Sequence, residues 1–193
     1  PLNDDATLLS RVNLAVEDNQ SFRDHVGSER QIVSPSLSWQ LDADTLLLIE
    51  SEFTRTESVF DRGIPAVNNR MGAVKNSSFM GEPNDGSVRN DNQMLQVSLE
   101  RHLNDTWKLR LANHYAQGRL QGNSSEPSRL VGDTLTRFYR QRSFEWNDSI
   151  TQAELHGSFN LGSWQHQTLA GLEYENYRNS QKYPQSATTL GYG

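Results

Sequence analysis

Cysteine is absent from the 193 residues, which removes disulfide staples, thiolate metal sites and a Cys nucleophile at once. Hydrophobic residues are scarce, at 34%, little for a chain that must bury a core of its own. The longest uninterrupted aliphatic run is Leu46-Leu47-Leu48-Ile49. A helix needs about 20 apolar residues in succession to cross a bilayer, so none is encoded here. Positive charge is in the minority, with 18 Lys and Arg against 24 Asp and Glu. That balance argues against nucleic-acid backbone as a partner. Neither a Gly-rich phosphate cradle nor a Ser elbow occurs, so no catalytic residue is nominated and no enzyme is expected. Aromatics are not lacking: 4 Trp, 6 Tyr and 7 Phe exceed what a disordered chain carries. The length suits one domain.

What is present is period two. From Leu8 the even positions read Leu8, Ser10, Val12, Leu14 and Val16, while the odd ones include Arg11, Asn13 and Glu17. The pattern returns with Val33, Leu37, Trp39 and Leu41, and again with Leu47, Ile49 and Phe53. It recurs in Leu95, Val97 and Leu99, in Trp107, Leu109, Leu111 and Tyr115, and in Ala153, Leu155, Phe159 and Leu161. A last run carries Trp164, Thr168, Ala170, Leu172 and Tyr174. Successive side chains of a strand point to opposite faces, so each run predicts a strand with one apolar side. The expected fold is all-β, an antiparallel up-and-down meander of about seven long strands. Runs of about 9–12 residues match what a tilted strand needs to span a bilayer.

The connections alternate in length. Leu41–Thr45, Leu103–Thr106 and Leu161–Trp164 are short and rich in Asn, Asp and Gly, the chemistry of tight hairpins. Between them come longer stretches, 18–28, 60–89 and 118–137, the last two read as long loops of extracellular type. Trp39, Trp107 and Trp164 sit beside the short turns on the apolar face, and Tyr115 and Tyr174 lie toward the opposite strand ends. Two aromatic belts bounding an apolar band describe the outer wall of a transmembrane β-barrel. The other face carries Arg11, Glu50, Glu52, Glu100, Lys108, Arg110, Glu154 and Glu173, fit for a wet lumen. A soluble antiparallel sheet with one solvated face also alternates, but long strands, asymmetric loops and rim-placed Trp favour the barrel.

The histidines are dispersed. His102 and His114, or His156 and His166, are expected to face each other across hairpins, yet no carboxylate completes a ligand set, so no metal is expected. The Glu50/Glu52 and Glu173/Glu175 pairs read as lumen wall rather than acid–base machinery. Arg137, Arg140 and Arg142, interleaved with Phe138, Tyr139, Phe144 and Trp146, suggest a strand end that binds an anionic ligand or lipopolysaccharide, with nucleic acid the weaker reading.

The run Phe60-Asp61-Arg62-Gly63-Ile64-Pro65-Ala66, followed by Phe79-Met80-Gly81-Glu82-Pro83-Asn84-Asp85, resembles the long extracellular loop of TonB-dependent siderophore receptors. Ser21-Phe22-Arg23-Asp24, Ser34–Trp39 and the stretch from His166 to Tyr174 resemble successive barrel strands of that family. The resemblance implies an outer-membrane receptor that imports ferric siderophores with energy from TonB, and no cofactor. It also implies a plug domain, through which TonB acts. That plug is expected to lie outside this chain, which is read as a fragment of a longer receptor whose last residues, Thr189–Gly193, enter another loop. The remaining partners are outer-membrane lipid and lipopolysaccharide. A non-transporting pore or adhesin barrel, and a soluble binding module, stand as alternatives. Aromatic area and Arg forks suit a bulky, part-polar cargo, so Phe60, Arg62, Phe79, Arg129, Phe138 and Tyr139 are the ligand-binding candidates.

The orientation of the strands across the membrane is open to a direct test. External protease acting on whole cells is expected to cut within 72–86 and to spare the three short turns; cleavage at Asn104 would reverse the orientation.

Overall fold

The computed structural model describes residues 1–67, 70–132 and 134–188, with backbone alone over 185–188. Thr189–Gly193, expected to begin a loop, lie outside the described residues. The strands are β1 (Leu8–Gln20), β2 (Gly27–Asp42), β3 (Thr45–Ser58), β4 (Val88–His102), β5 (Trp107–Val131), β6 (Thr134–Leu161), β7 (Trp164–Lys182) and β8 (Gln185–Thr188). The first seven lie side by side in chain order, all antiparallel, with β1 and β7 at the two edges. This is the meander the alternation predicts, with one addition. Pro184, lacking an N–H, interrupts the ladder after β7, and β8 resumes the same line along Arg137–Arg140 of β6.

Register keeps like with like. One cross-strand row reads Leu8, Trp39, Leu47, Leu99, Leu111, Ala153 and Leu172. A row on the other face reads Arg11, Ser36, Glu50, Gln96, His114, Ile150 and Glu175. A slip of one residue would exchange the two faces, so the pattern pins the pairing. The turns help. Asp42 Oδ1 accepts from the Asp44 N–H at 2.9 Å, and Asn104 Oδ1 accepts from Thr106 and Trp107 at 2.9 and 3.0 Å. Gly162 takes φ of 63° in the third turn.

Among the described residues no second layer packs behind this sheet. Among the described residues the buried hydrophobics are Val88, Ala112 and Ala116, whereas Leu172 is 82% exposed and Trp164 73%. A monomer in water rarely leaves so continuous an apolar surface bare. The polar face is knit by ion pairs instead: Glu100 meets Lys108 at 3.1 Å and Arg110 at 3.7 Å, and Arg110 reaches Glu154 at 3.5 Å. The Glu pairs take part in the same knitting, Gln152 donating to Glu173 at 2.6 Å and Ser34 to Glu52 at 3.3 Å.

Three expectations change. The strands are longer than the runs suggested, up to 28 residues in β6. The stretch 118–137, expected as a loop, is strand over most of its described residues: β5 runs on to Val131, Gly132 turns with φ of 59°, and β6 begins at Thr134. Gly118 and Pro127 misled because each looks like punctuation. Trp146 lies against Gly118 so closely that a Cβ would come within 2.2 Å of its Nε1, and Pro127 sits at a bulge. The histidine pairs do not form either. His102 faces Lys108, His114 faces Gln96 and Ile150, and His166 faces Phe159. Among the described residues no cluster could hold a metal ion.

Val97 and Leu155 stand in the apolar band, Gln96 and Ser158 on the other face. In the intact barrel Val97→Arg and Leu155→Arg are each expected to cost about 2–4 kcal/mol if near the bilayer midplane, whereas Gln96→Arg and Ser158→Arg are nearly harmless. Urea titrations of the receptor refolded into vesicles measure the difference, and equal losses on both faces would refute the assignment.

Candidate ligand-entrance site

β5 outruns its neighbour. β4 begins at Val88 and its pairing ends with Arg89 opposite Gln121, so β5 beyond that point has no strand on one side. Bare ladder groups need partners. The described residues of the connection from β3 to β4, 59–67 and 70–87, fold back along this part of β5 and β6. A short 3-10 turn at Pro83–Asp85 presents the Asp85 carboxylate, which accepts from the Ser125 N–H. Arg137, opposite Pro127 on β6, donates to the Gly81 carbonyl and pairs with Glu82 at 3.4 Å. The β1–β2 connection joins the cluster, since Arg23 meets Asp61 at 2.5 Å and the Asp24 N–H donates to the Ser77 carbonyl at 2.7 Å.

At the centre sits Glu126, 4% exposed. Its carboxylate pairs with Arg142, with Arg62 at 2.9 Å and with Arg140 at 3.3 Å, and accepts from Ser124 Oγ at 2.9 Å. Three guanidinium groups thus share one carboxylate. Aromatic rings alternate with them. The Arg140 guanidinium carbon lies 5.9 Å from the Phe138 ring centre and 5.3 Å from that of Tyr183. Arg142 lies 5.6 Å from Tyr183 and 4.1 Å from Phe60, and Arg62 lies 5.0 Å from Phe60. Each contact is of cation–π type. Burial by itself disfavours the Glu126 charge, but bonds from Arg142, Ser124 and Arg62 outweigh it and hold the carboxyl below its ordinary range.

The candidates are only partly gathered. Phe60, Arg62 and Phe138 belong to this ladder. Arg129 and Arg62 line a hollow of about 150 Å³ under the hairpin tip, with Ile64, Pro65 and Leu130. Phe79 and Phe60 both line a narrow crevice, and Phe79 faces His25, ring centres 6.4 Å apart. Tyr139 is a neighbour of Phe138 in a strand, so it points to the opposite side. Glu126 and Tyr183 escaped the sequence reading. Nothing local marks a lone Glu within Ser-rich sequence, and Tyr183 reaches Arg140 only through β6–β7 pairing.

The family model for the "TonB dependent receptor-like, beta-barrel" domain matches residues 38–193. The chain belongs to the TonB-dependent receptor β-barrel family. A metal-pseudopaline receptor, CntO of Pseudomonas aeruginosa strain UCBPP-PA14, is 52% identical over 183 residues, covering 94% of this chain and 26% of that protein. A ferrioxamine receptor of Yersinia enterocolitica is 22% identical over 174 residues, covering 88% and 24% respectively. This chain therefore spans about a quarter of the length of the curated relatives it matches. The same fold occurs in the siderophore receptor PiuA from Acinetobacter baumannii, with TM-score 0.81 at 19% identity over 93% of this chain and 27% of that one. It occurs also in the ferric-catecholate import receptor Fiu of E. coli, with TM-score 0.81 at 19% identity over 96% and 29%. TonB-dependent receptor barrels reside in the outer membrane and are receptors, not enzymes. Membership explains the absent second layer: in a barrel wall, lipid covers the apolar face. The reading as a soluble module falls with it.

Glu126 is expected to latch the loop onto the hairpin. A carboxyl whose native pKa is depressed contributes stability above the ordinary Glu range, and that contribution is lost as pH falls through the lowered value. Glu126→Gln strands a buried arginine, at a cost of about 3 kcal/mol and thus about a hundredfold faster local opening. Hydrogen exchange over residues 59–87 of the receptor reads it. Wild type is expected to loosen in the same segment only in acid, below the ordinary Glu range, and unchanged exchange in the variant would refute the latch.

Proposed function

We propose that this chain contributes wall and entrance to a receptor that takes up metal–siderophore complexes, ferric siderophores among them, by TonB-dependent transport. The observation that carries the reading is the alternation of rings and guanidinium groups from Phe138 to Arg62, with more positive than negative charge. Ferric and related chelates are bulky, part apolar and rich in exposed oxygens. Rings supply rigid contact area, and Arg forks donate paired hydrogen bonds to oxygen. Loops on a stiff wall can present such groups without disturbing the ladder. The relative at 52% identity is named for a metal-pseudopaline complex and a more distant one for ferrioxamine, so the cargo class here is a metal bound to a small chelator.

Phe60, Arg62, Phe79, Arg129, Phe138 and Tyr139 remain the candidates for contact, with Arg62 and Arg129 foremost because they share the open hollow. TonB acts through a plug domain outside this chain. Membrane lipid lies against the apolar face, and lipopolysaccharide against its outer rim.

Equilibrium binding of metal–pseudopaline and ferrioxamine to the intact receptor tests the site. Phe60→Ala, Arg62→Ala and Arg129→Ala are each expected to weaken one of these ligands about tenfold, a loss of about 1.4 kcal/mol. Wild-type affinity in all three, with the barrel folded, would leave the loop a mere cover.

A further inference from the structure

Arg62 and Arg129 line the small hollow under the β5–β6 hairpin tip, and the chain around each of them sets where it stands. Arg62 lies inside a tight turn: Asp61 Oδ1 accepts from the Gly63 N–H at 2.8 Å, and Gly63 takes φ of 81°. Asp61 is held in turn by Arg23 at 2.5 Å. On β5 the register shifts between Pro127 and Arg129, and such a bulge re-aims a side chain. The Arg129 carbonyl accepts from Thr136 Oγ1 at 3.0 Å, which ties this end of the bulge to β6. Between the two arginines the lining is mostly apolar, with Ile64, Pro65, Leu130 and Leu135.

The two guanidinium groups differ in what they hold. Arg62 gives its Nε to Glu126 at 2.9 Å, and its side chain is 49% exposed. Arg129 is exposed and forms no ion pair among the described residues. Acids of the folded-back loop are engaged elsewhere, Asp61 by Arg23, Glu82 by Arg137 and Asp85 by the Ser125 N–H. Asp133 lies outside the described residues. Glu126 does not depend on Arg62 alone. Without it, Oε1 keeps Arg142 and Ser124 Oγ, and Oε2 keeps Arg140 at 3.3 Å. A half-exposed ion pair adds little in water, whereas a carboxylate gripped by a guanidinium fork is a strong, geometrically specific pair. Arg62 can therefore pass from Glu126 to a second carboxylate at small cost.

The hollow is sized for part of a ligand. Its volume of about 150 Å³ is roughly five times the share of one water in the liquid. Pockets for whole drug-sized molecules begin at roughly 300 Å³. The hollow suits a side arm: a carboxylate set between the arginines, its short methylene stem against Ile64, Pro65 and Leu130. We propose that Arg62 and Arg129 bind a free carboxylate of the metal chelate, one that does not ligate the metal, and that Arg62 exchanges Glu126 for it. The incoming carboxylate then ties the β3–β4 connection to the hairpin tip. The proposal rests on the transport reading above and narrows it to chelates that keep an uncoordinated carboxylate.

Ferrioxamine B offers matched probes. Its terminal amine can be capped with succinyl, which adds a free carboxylate, or with acetyl, which adds none. Equilibrium binding of both iron complexes is measured on the intact receptor. Wild type is expected to hold the succinyl form about tenfold tighter than the acetyl form. Arg62→Gln and Arg129→Gln are each expected to bring that ratio near one. Lys75→Gln, which removes an exposed cation from the same loop, is expected to leave it at the wild-type value. The ratio compares two ligands on one protein, so general damage to the loop cancels from it. Equal affinity of wild type for both forms, a ratio unchanged in either arginine variant, or an equal loss in Lys75→Gln would overturn the carboxylate site. Failure of both capped forms beside binding of metal–pseudopaline would overturn it and leave the transport reading standing. Failure of all three complexes would count against that reading as well.

Discussion

The backbone ladder is the constraint on which everything else depends. A single sheet with no second layer among the described residues draws its order from strand-to-strand hydrogen bonds, so a strand is stable only where a neighbour runs beside it. From β1 to β7 that condition holds in chain order, and the alternation of side chains then sorts the surface into one apolar and one charged face. The short turns carry the same logic to the rim, where Asp42, Asn104 and Gly162 satisfy or permit the reversal.

The candidate entrance arises where that condition lapses. β5 and β6 extend past the start of β4, leaving one side of β5 bare above Gln121. The described part of the β3–β4 connection answers it by laying Asp85, Gly81 and Glu82 along the hairpin, and Phe60 and Arg62 arrive with them. The ion cluster about Glu126 is thus a consequence of mismatched strand lengths. A buried carboxylate among three arginines is also a polar network that holds only while every member is present. It fixes where the loop sits and leaves Arg129 at the open tip.

Charge has two unlike uses in this wall. On the lumen face Glu100, Arg110 and Glu154 neutralise one another across β4, β5 and β6. On the outward face above the aromatic belt, Arg55 and Arg89 share Asp91, and Arg119 pairs with Glu145. In water such exposed pairs would add little stability.

Period-two alternation, turn chemistry and the placement of Trp39, Trp107 and Trp164 were enough to determine the seven-strand meander, the two faces and the short-turn rim. Those properties are local, because the side-chain period and the demands of a hairpin act within a few residues. Where β5 ends was not legible: Gly118, Gly122 and Pro127 read as loop, and only the bulk of Trp146 against Gly118 and the bulge at Pro127 explain them as strand. The partnership of Glu126 with Arg62, of Tyr183 with Arg140, and the row Arg55–Asp91–Arg119 all join residues remote in the chain. Register and loop packing decide such meetings, since a single sequence states which groups a strand carries and leaves open which neighbour will stand opposite.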